Sequence, residues 1–194
     1  TDPAVEPDQA VRDKAWAVAM AILTKADSDT LAGVCEALGD RPDAVSQRIV
    51  LRQMLVANLR AAKSDKLTAA TRKLAADLLA ASRPAEAAPL LGSTYSDCVA
   101  KKSPEAGEVY VEWVDALLKA NDPTILKAVA DQAQAAAFAG VLEKFQKRLG
   151  ELLVEGKYAT VILLGGEMRR QLADRLGADQ SAALGKLVDE ATVK

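Results

Sequence analysis

Apolar residues recur along this chain at intervals of three and four, the spacing of one helix face. The period is clearest at Val109, Tyr110, Trp113, Val114, Leu117 and Leu118, and again at Val141, Leu142, Phe145, Leu149, Leu152 and Leu153. Short polar turns separate such stretches, and the pattern predicts about ten helices. The first covers about residues 9–25 behind a cap at Asp8, with Val11, Ala15, Val18 and Ile22 on one face and Trp16 as a packing anchor. Asp27 and Ser28 cap a second, through Leu31, Val34, Cys35 and Leu38, which Gly39 stops. A third spans about 42–62 on Val45, Ile49, Val56 and Leu59, and a fourth follows Ser64 or Asp65 through Leu67, Leu74 and Leu78. Pro84 opens a fifth, to about residue 101, and Pro89 within it predicts a kink or a later start. Ser103-Pro104-Glu105 is the strongest helix start: a serine cap, a proline at the first helical position and an acid in the first turn agree. An alanine-rich helix over about 123–137 follows, then one over 138–155. A helix over about 158–176 is weakened by Gly165 and Gly166, and a short last one is capped by Asp179 and ends near Ala191. Within residues 158–176, the apolar run Val161-Ile162-Leu163-Leu164 is the one stretch whose periodicity also suits a strand.

The junctions between helices resemble one another. Leu78-Leu79-Ala80-Ala81-Ser82-Arg83-Pro84 reads as a helix end, a tight polar turn and a new start, with echoes after Leu23, Leu59, Leu118 and Leu153. Leu23 to Leu59 is 36 residues, Leu79 to Leu118 is 39 and Leu118 to Leu153 is 35. Periods of this size come from paired-helix repeats. The expected fold is all-α, a right-handed array of antiparallel helices built as helical hairpins or a solenoid. Residues 1–7, with two prolines and two acids, form an N-terminal linker or frayed end, and 8–194 one helical-repeat domain. If the junction leucines are core residues, Leu79, Leu118 or Leu153→Ala costs about 2–5 kcal/mol.

The segment Ser82-Arg83-Pro84-Ala85-Glu86-Ala87 resembles the tetratricopeptide family, where a helix end, a Gly-Arg-like turn and a Glu-Ala step recur, and Leu153-Val154-Glu155-Gly156-Lys157-Tyr158 resembles the same turn. Val11-Arg12-Asp13-Lys14-Ala15-Trp16-Ala17 is similar to the second helix of HEAT repeats. The resemblance implies a tetratricopeptide- or HEAT-like scaffold that binds other proteins or peptides, and it carries over no functional residues.

Composition narrows the chemistry. The chain has no histidine, the commonest general base and metal ligand, so its serines and two cysteines lack that activating partner. Acid pairs such as Asp27 with Asp29 sit where helix caps want acids, and no constellation suggests a catalytic residue, a metal or a cofactor. Gly165-Gly166 lacks the Gly-Lys-Ser/Thr ending of a phosphate loop and reads as a close helix–helix approach. Cys35 and Cys98 suit a pair of buried thiols, with a disulfide as the alternative. No apolar run is long enough to span a membrane. No export signal is evident and the chain begins at Thr1, which leaves a cytoplasmic location and an exported, trimmed one both open.

Charge is uneven. Residues 1–47 hold 9 acids and 4 bases, while 48–83 hold 8 bases and 2 acids. Arg48, Arg52, Arg60 and Lys63 fall within about a third of one helix circumference. They read either as a solvated surface or as a basic face that binds a protein or acidic peptide. Nucleic acid is disfavoured, because aromatic residues do not accompany these bases. On either reading, reversing Arg48 and Arg52 to glutamate leaves the fold intact. The expected function is a non-enzymatic helical-repeat scaffold for protein–protein or protein–peptide interaction. The alternatives are a small-ligand or carboxylate/lysine-based helical enzyme domain, and a homo-oligomeric structural subunit with Trp16, Tyr110 or Trp113 in the contact.

Overall fold

Four helix ends in the computed structural model close in the same way. The N–H groups of Ser64, Ser103, Asp122 and Lys157 donate to the carbonyls of Leu59, Cys98, Leu117 and Leu152, at 2.8–3.0 Å and five residues back. The residue before each donor, Lys63, Lys102, Asn121 or Gly156, has φ between 51° and 73°. This is the bonding of a Schellman end, in which one left-handed residue satisfies the last carbonyls. Three of these turns are then tightened by a side chain just before the next helix: Ser64 Oγ accepts from the Lys66 N–H at 3.2 Å, Ser103 Oγ from Glu105 at 3.3 Å and Asp122 Oδ1 from Thr124 at 2.9 Å. Polar residues at these positions thus end one helix and begin another within a few residues.

The structure describes residues 5–39, 41–122, 124–129 and 138–194. Among them are ten α-helices and no strand, so the chain is all-α. They are α1 (Val5–Leu23), α2 (Ser28–Leu38), α3 (Val45–Ala61), α4 (Leu67–Ala80), α5 (Pro84–Ala100), α6 (Ala106–Ala120), α7 (Ile125–Val129), α8 (Phe138–Val154), α9 (Tyr158–Gln171) and α10 (Ala178–Val193), with a 3-10 turn at Pro42–Ala44 before α3. The helices gather into two compact units, Thr1–Ala81 and Ser82–Lys194.

Several expected boundaries shift. Helix α1 begins at Val5 and includes Pro7, which a first turn tolerates because its N–H would have no partner there. Helix α5 starts at Pro84 and continues through Pro89, which forfeits only the bond that residue 89 would donate to Ala85. The Val161-Ile162-Leu163-Leu164 run is helical, inside α9. The last helix is capped by Gly177 instead of Asp179, the Gln180 side chain accepting the Gly177 N–H at 3.0 Å. Of the alanine-rich helix expected over 123–137, α7 is described, and 130–137 lie outside the described residues.

In the first unit α3 is central. It packs on both α2 and α4 and buries Ile49, Leu51, Leu55, Val56 and Leu59. Helix α1 departs from expectation. Its Val11, Val18 and Ile22 are 66%, 64% and 68% exposed, Trp16 is half-buried, and among its residues 11–23 only Leu23 is buried. No other described element packs extensively against it. The spacing was that of a helix face, but no other described element covers Val11, Val18 and Ile22.

In the second unit α5 and α6 make the most extensive contact, α9 packs on α10, and α8 packs on α6, α9 and α10. Tyr95, Tyr110 and Trp113 cluster where α5 meets α6, with ring centroids 5.3–6.4 Å apart. Tyr110 is buried and its hydroxyl donates to the Ala128 carbonyl at 2.5 Å, which ties α6 to α7. Gly92 admits the Trp113 indole: a Cβ there would lie 2.9 Å from Trp113 Nε1.

Gly165 and Gly166 adjoin each other in the middle of α9 but have opposite surroundings. A Cβ on Gly165 would lie 2.6 Å from Val188 Cγ2 and 3.3 Å from Leu149 Cδ1, whereas one on Gly166 meets nothing within 4 Å. Val188 is β-branched and yields poorly. Gly165→Ala is therefore expected to destabilise by about 1–2 kcal/mol, overpacking exceeding the gain in helix propensity. Gly166→Ala is expected to stabilise by up to about 1 kcal/mol. Urea melts of the two variants check the pair, and Val188→Ala should relieve the Gly165→Ala loss.

Candidate interaction groove

The four residues of the expected basic face do not lie together. Arg48 is 3% exposed. Its guanidinium donates to the Asp77 carboxylate from Nε at 3.2 Å and from Nη2 at 3.1 Å, and its Nη1 donates to the Gly39 and Arg41 carbonyls. Arg52 turns the same way: Nη1 lies 2.8 Å from Asp77 Oδ2 and donates to the Lys73 carbonyl at 2.7 Å. Asp77 is itself buried. Two guanidiniums thus enclose one carboxylate and bind the chain before the Pro42–Ala44 turn, α3 and α4 into one piece. Arg60 and Lys63 are exposed. The expectation that Arg48 and Arg52 tolerate reversal to glutamate is corrected accordingly, because Asp77, an acid 29 residues beyond Arg48, draws both inward.

Beside this cluster the first unit carries a groove of about 290 Å³ between α2 and α4, above α3. Its floor is Leu55 and Leu59 of α3, and its walls include Ala32 of α2 with Ala69 and Ala70 of α4. Small side chains on both walls keep it open. Each rim carries charge at a seven-residue spacing: Asp29 and Glu36 on α2, Lys66 just before α4 and Lys73 on it. Lys66 Nζ lies 3.3 Å from Asp29 Oδ1, and Lys73 Nζ lies 3.8 Å from Glu36 Oε1. All four side chains are well exposed, so the pairs contribute little to stability.

The α2 rim is set by the α2 start, where Asp27 Oδ1 accepts the Thr30 N–H at 2.8 Å, a bond that also holds the Asp27 carboxyl below its ordinary value. At the other end the groove meets a pocket of about 30 Å³ lined by Cys35 and Arg52. Burial pushes the Cys35 thiol up, an effect the Arg52 guanidinium partly offsets, so the thiolate needed for nucleophilic chemistry is disfavoured. Cys35 and Cys98 are both free and buried.

Sequence reasoning missed the four rim residues. Their signal was present as acids at 29 and 36 and bases at 66 and 73, but it acquires meaning only once α2 and α4 are known to flank α3. Among the described residues, no group of three or more Cys, Asp or Glu is placed to hold a metal ion, and no helix is long and apolar enough to cross a membrane.

The fold and groove define an all-α protein with one open, apolar-floored, charge-rimmed channel in its N-terminal unit. Comparison with protein-family models, curated proteins and solved structures finds no match to the chain.

Proposed function

We propose that this chain is a non-enzymatic helical scaffold that holds a segment of another protein in the α2–α3–α4 groove. The groove itself carries the reading, with leucines below, alanines at the sides and exposed charge along both rims. Apolar floors with polar edges characterise surfaces that take up peptide segments. The helical-repeat character inferred from the recurring junctions in the sequence belongs to the same reading. The basic face is no part of the docking surface in this reading, since Arg48 and Arg52 are committed to Asp77.

A photo-crosslinking residue at Ala69, on the exposed groove wall, tests the proposal in a lysate of the source cell. It should capture a defined protein that the same residue at exposed Ala173 does not, and Ala32→Trp, which fills the groove, should abolish capture. Identical captures from both positions would overturn the reading. A homo-oligomeric subunit is the second reading, favoured by the exposed Val11, Val18 and Ile22 of α1.

A further inference from the structure

Resting on the scaffold reading, we infer that the groove's occupant is an amphipathic helix of heptad pattern, carrying bases along one flank of its apolar stripe and acids along the other. Four observations lead there. Asp29 and Glu36 stand seven residues apart on one rim, and Lys66 and Lys73 stand seven apart on the other. At 1.5 Å per residue each pair spans about 10 Å, two helical turns. The rims are paired in order, Asp29 with Lys66 and Glu36 with Lys73, so the acidic and basic edges run side by side along the whole channel. Leu55 and Leu59, one helical turn apart and 7% and 5% exposed, lie at the bottom of the groove, and the more open Ala32 and Ala69 on its walls supply the apolar surface between the rims.

A helix with apolar residues at heptad positions a and d carries its e and g side chains along the two edges of that stripe, at the same seven-residue interval. If the e and g residues are of opposite sign, a helix laid on Leu55 and Leu59 brings bases to Asp29 and Glu36 and acids to Lys66 and Lys73. The two rim pairs must open to admit it. They are exposed, so opening costs little, and each charge regains an opposite partner from the incoming helix. A helix with one sign on both flanks satisfies one rim and confronts the other with like charge, which costs affinity. An extended peptide matches the groove less well, because its side chains repeat along one face every two residues. The groove volume of about 290 Å³ suits the few aliphatic side chains of a two-turn stripe.

The test uses three labelled 14-residue peptides, stapled into helices on their outer face, with leucine at a and d. One carries lysine at g and glutamate at e, one lysine at both and one glutamate at both. Fluorescence anisotropy with the full chain should show the mixed-sign peptide binding at least tenfold more tightly than either other. Asp29→Lys with Glu36→Lys, both at exposed positions, makes the two rims basic, and the all-glutamate peptide should then bind best. Circular dichroism confirms that this variant is folded. Equal binding of the three peptides, or a ranking indifferent to the rim change, overturns the inference. If no peptide binds while the Ala69 probe captures a partner, the helical occupant is wrong and the scaffold reading stands. If neither occurs, both fail. A dimer of the chain in analytical ultracentrifugation that excess mixed-sign peptide dissociates would make the occupant a second copy and overturn the inference.

Discussion

Asp77→Ala is expected to remove about 3–5 kcal/mol of stability from the N-terminal unit, the range for stripping one partner from a buried ion pair. The loss exceeds that of one hydrogen bond because Arg48, 3% exposed, would keep its charge with no anion beside it. The Gly39 and Arg41 carbonyls would still accept from Nη1, but they supply no counter-charge. Arg48→Glu with Arg52→Glu should be at least as damaging, since it buries carboxylates against Asp77. The matched control is Arg48→Met with Asp77→Leu, which removes both buried charges and should recover most of the loss, Arg52 being free to extend toward solvent. Urea denaturation of the three variants decides the matter. An Asp77→Ala chain as stable as its parent would mean that the cluster contributes no net stability.

The second large effect separates neighbouring leucines. Leu152→Ala should cost about 2–5 kcal/mol and Leu153→Ala clearly less, because Leu152 is fully buried and Leu153 only half so. Leu78 and Leu79 should divide the same way, Leu78 being 1% exposed and Leu79 half-buried. Thermal melts of the four variants check the order. Leu118 is buried beside Leu117, and the loss expected from Leu118→Ala is unchanged.

Those pairs show where the sequence could be read and where it could not. Two adjacent leucines point about 100° apart on a helix, so period alone cannot choose the inward one. At the end of α8 the buried residue is the one whose carbonyl accepts the closing bond, Leu152 from Lys157. Caps were legible because their chemistry is local. Asp27 accepts the Thr30 N–H and caps α2 as expected, whereas Ser103 bonds to the Glu105 N–H in a turn and α6 begins only at Ala106, past Pro104. Gly165 was legible as a close approach, though its neighbour Val188 was not. The basic stretch over 48–83 misled, because nothing local distinguishes an arginine that faces water from one that faces an acid 29 residues away. The apolar face of α1 misled in the opposite sense: its periodicity gives the helix but not what covers it. The groove was illegible for the same reason, being a property of three helices brought together.

The packing of several helices on their chain neighbours also bears on how the protein reaches its native state. Within each unit the pairs α2 with α3, α3 with α4, α5 with α6, and α9 with α10 join segments separated by a few turn residues. Closing such short loops costs little entropy, and a low contact order of this kind goes with folding in microseconds to milliseconds. Folding can begin at any of these hairpin-sized pairs and spread to the next. The exposed seam of α1, which leans on no such neighbour, should then be the last part of its unit to gain protection from hydrogen exchange and the first to lose it.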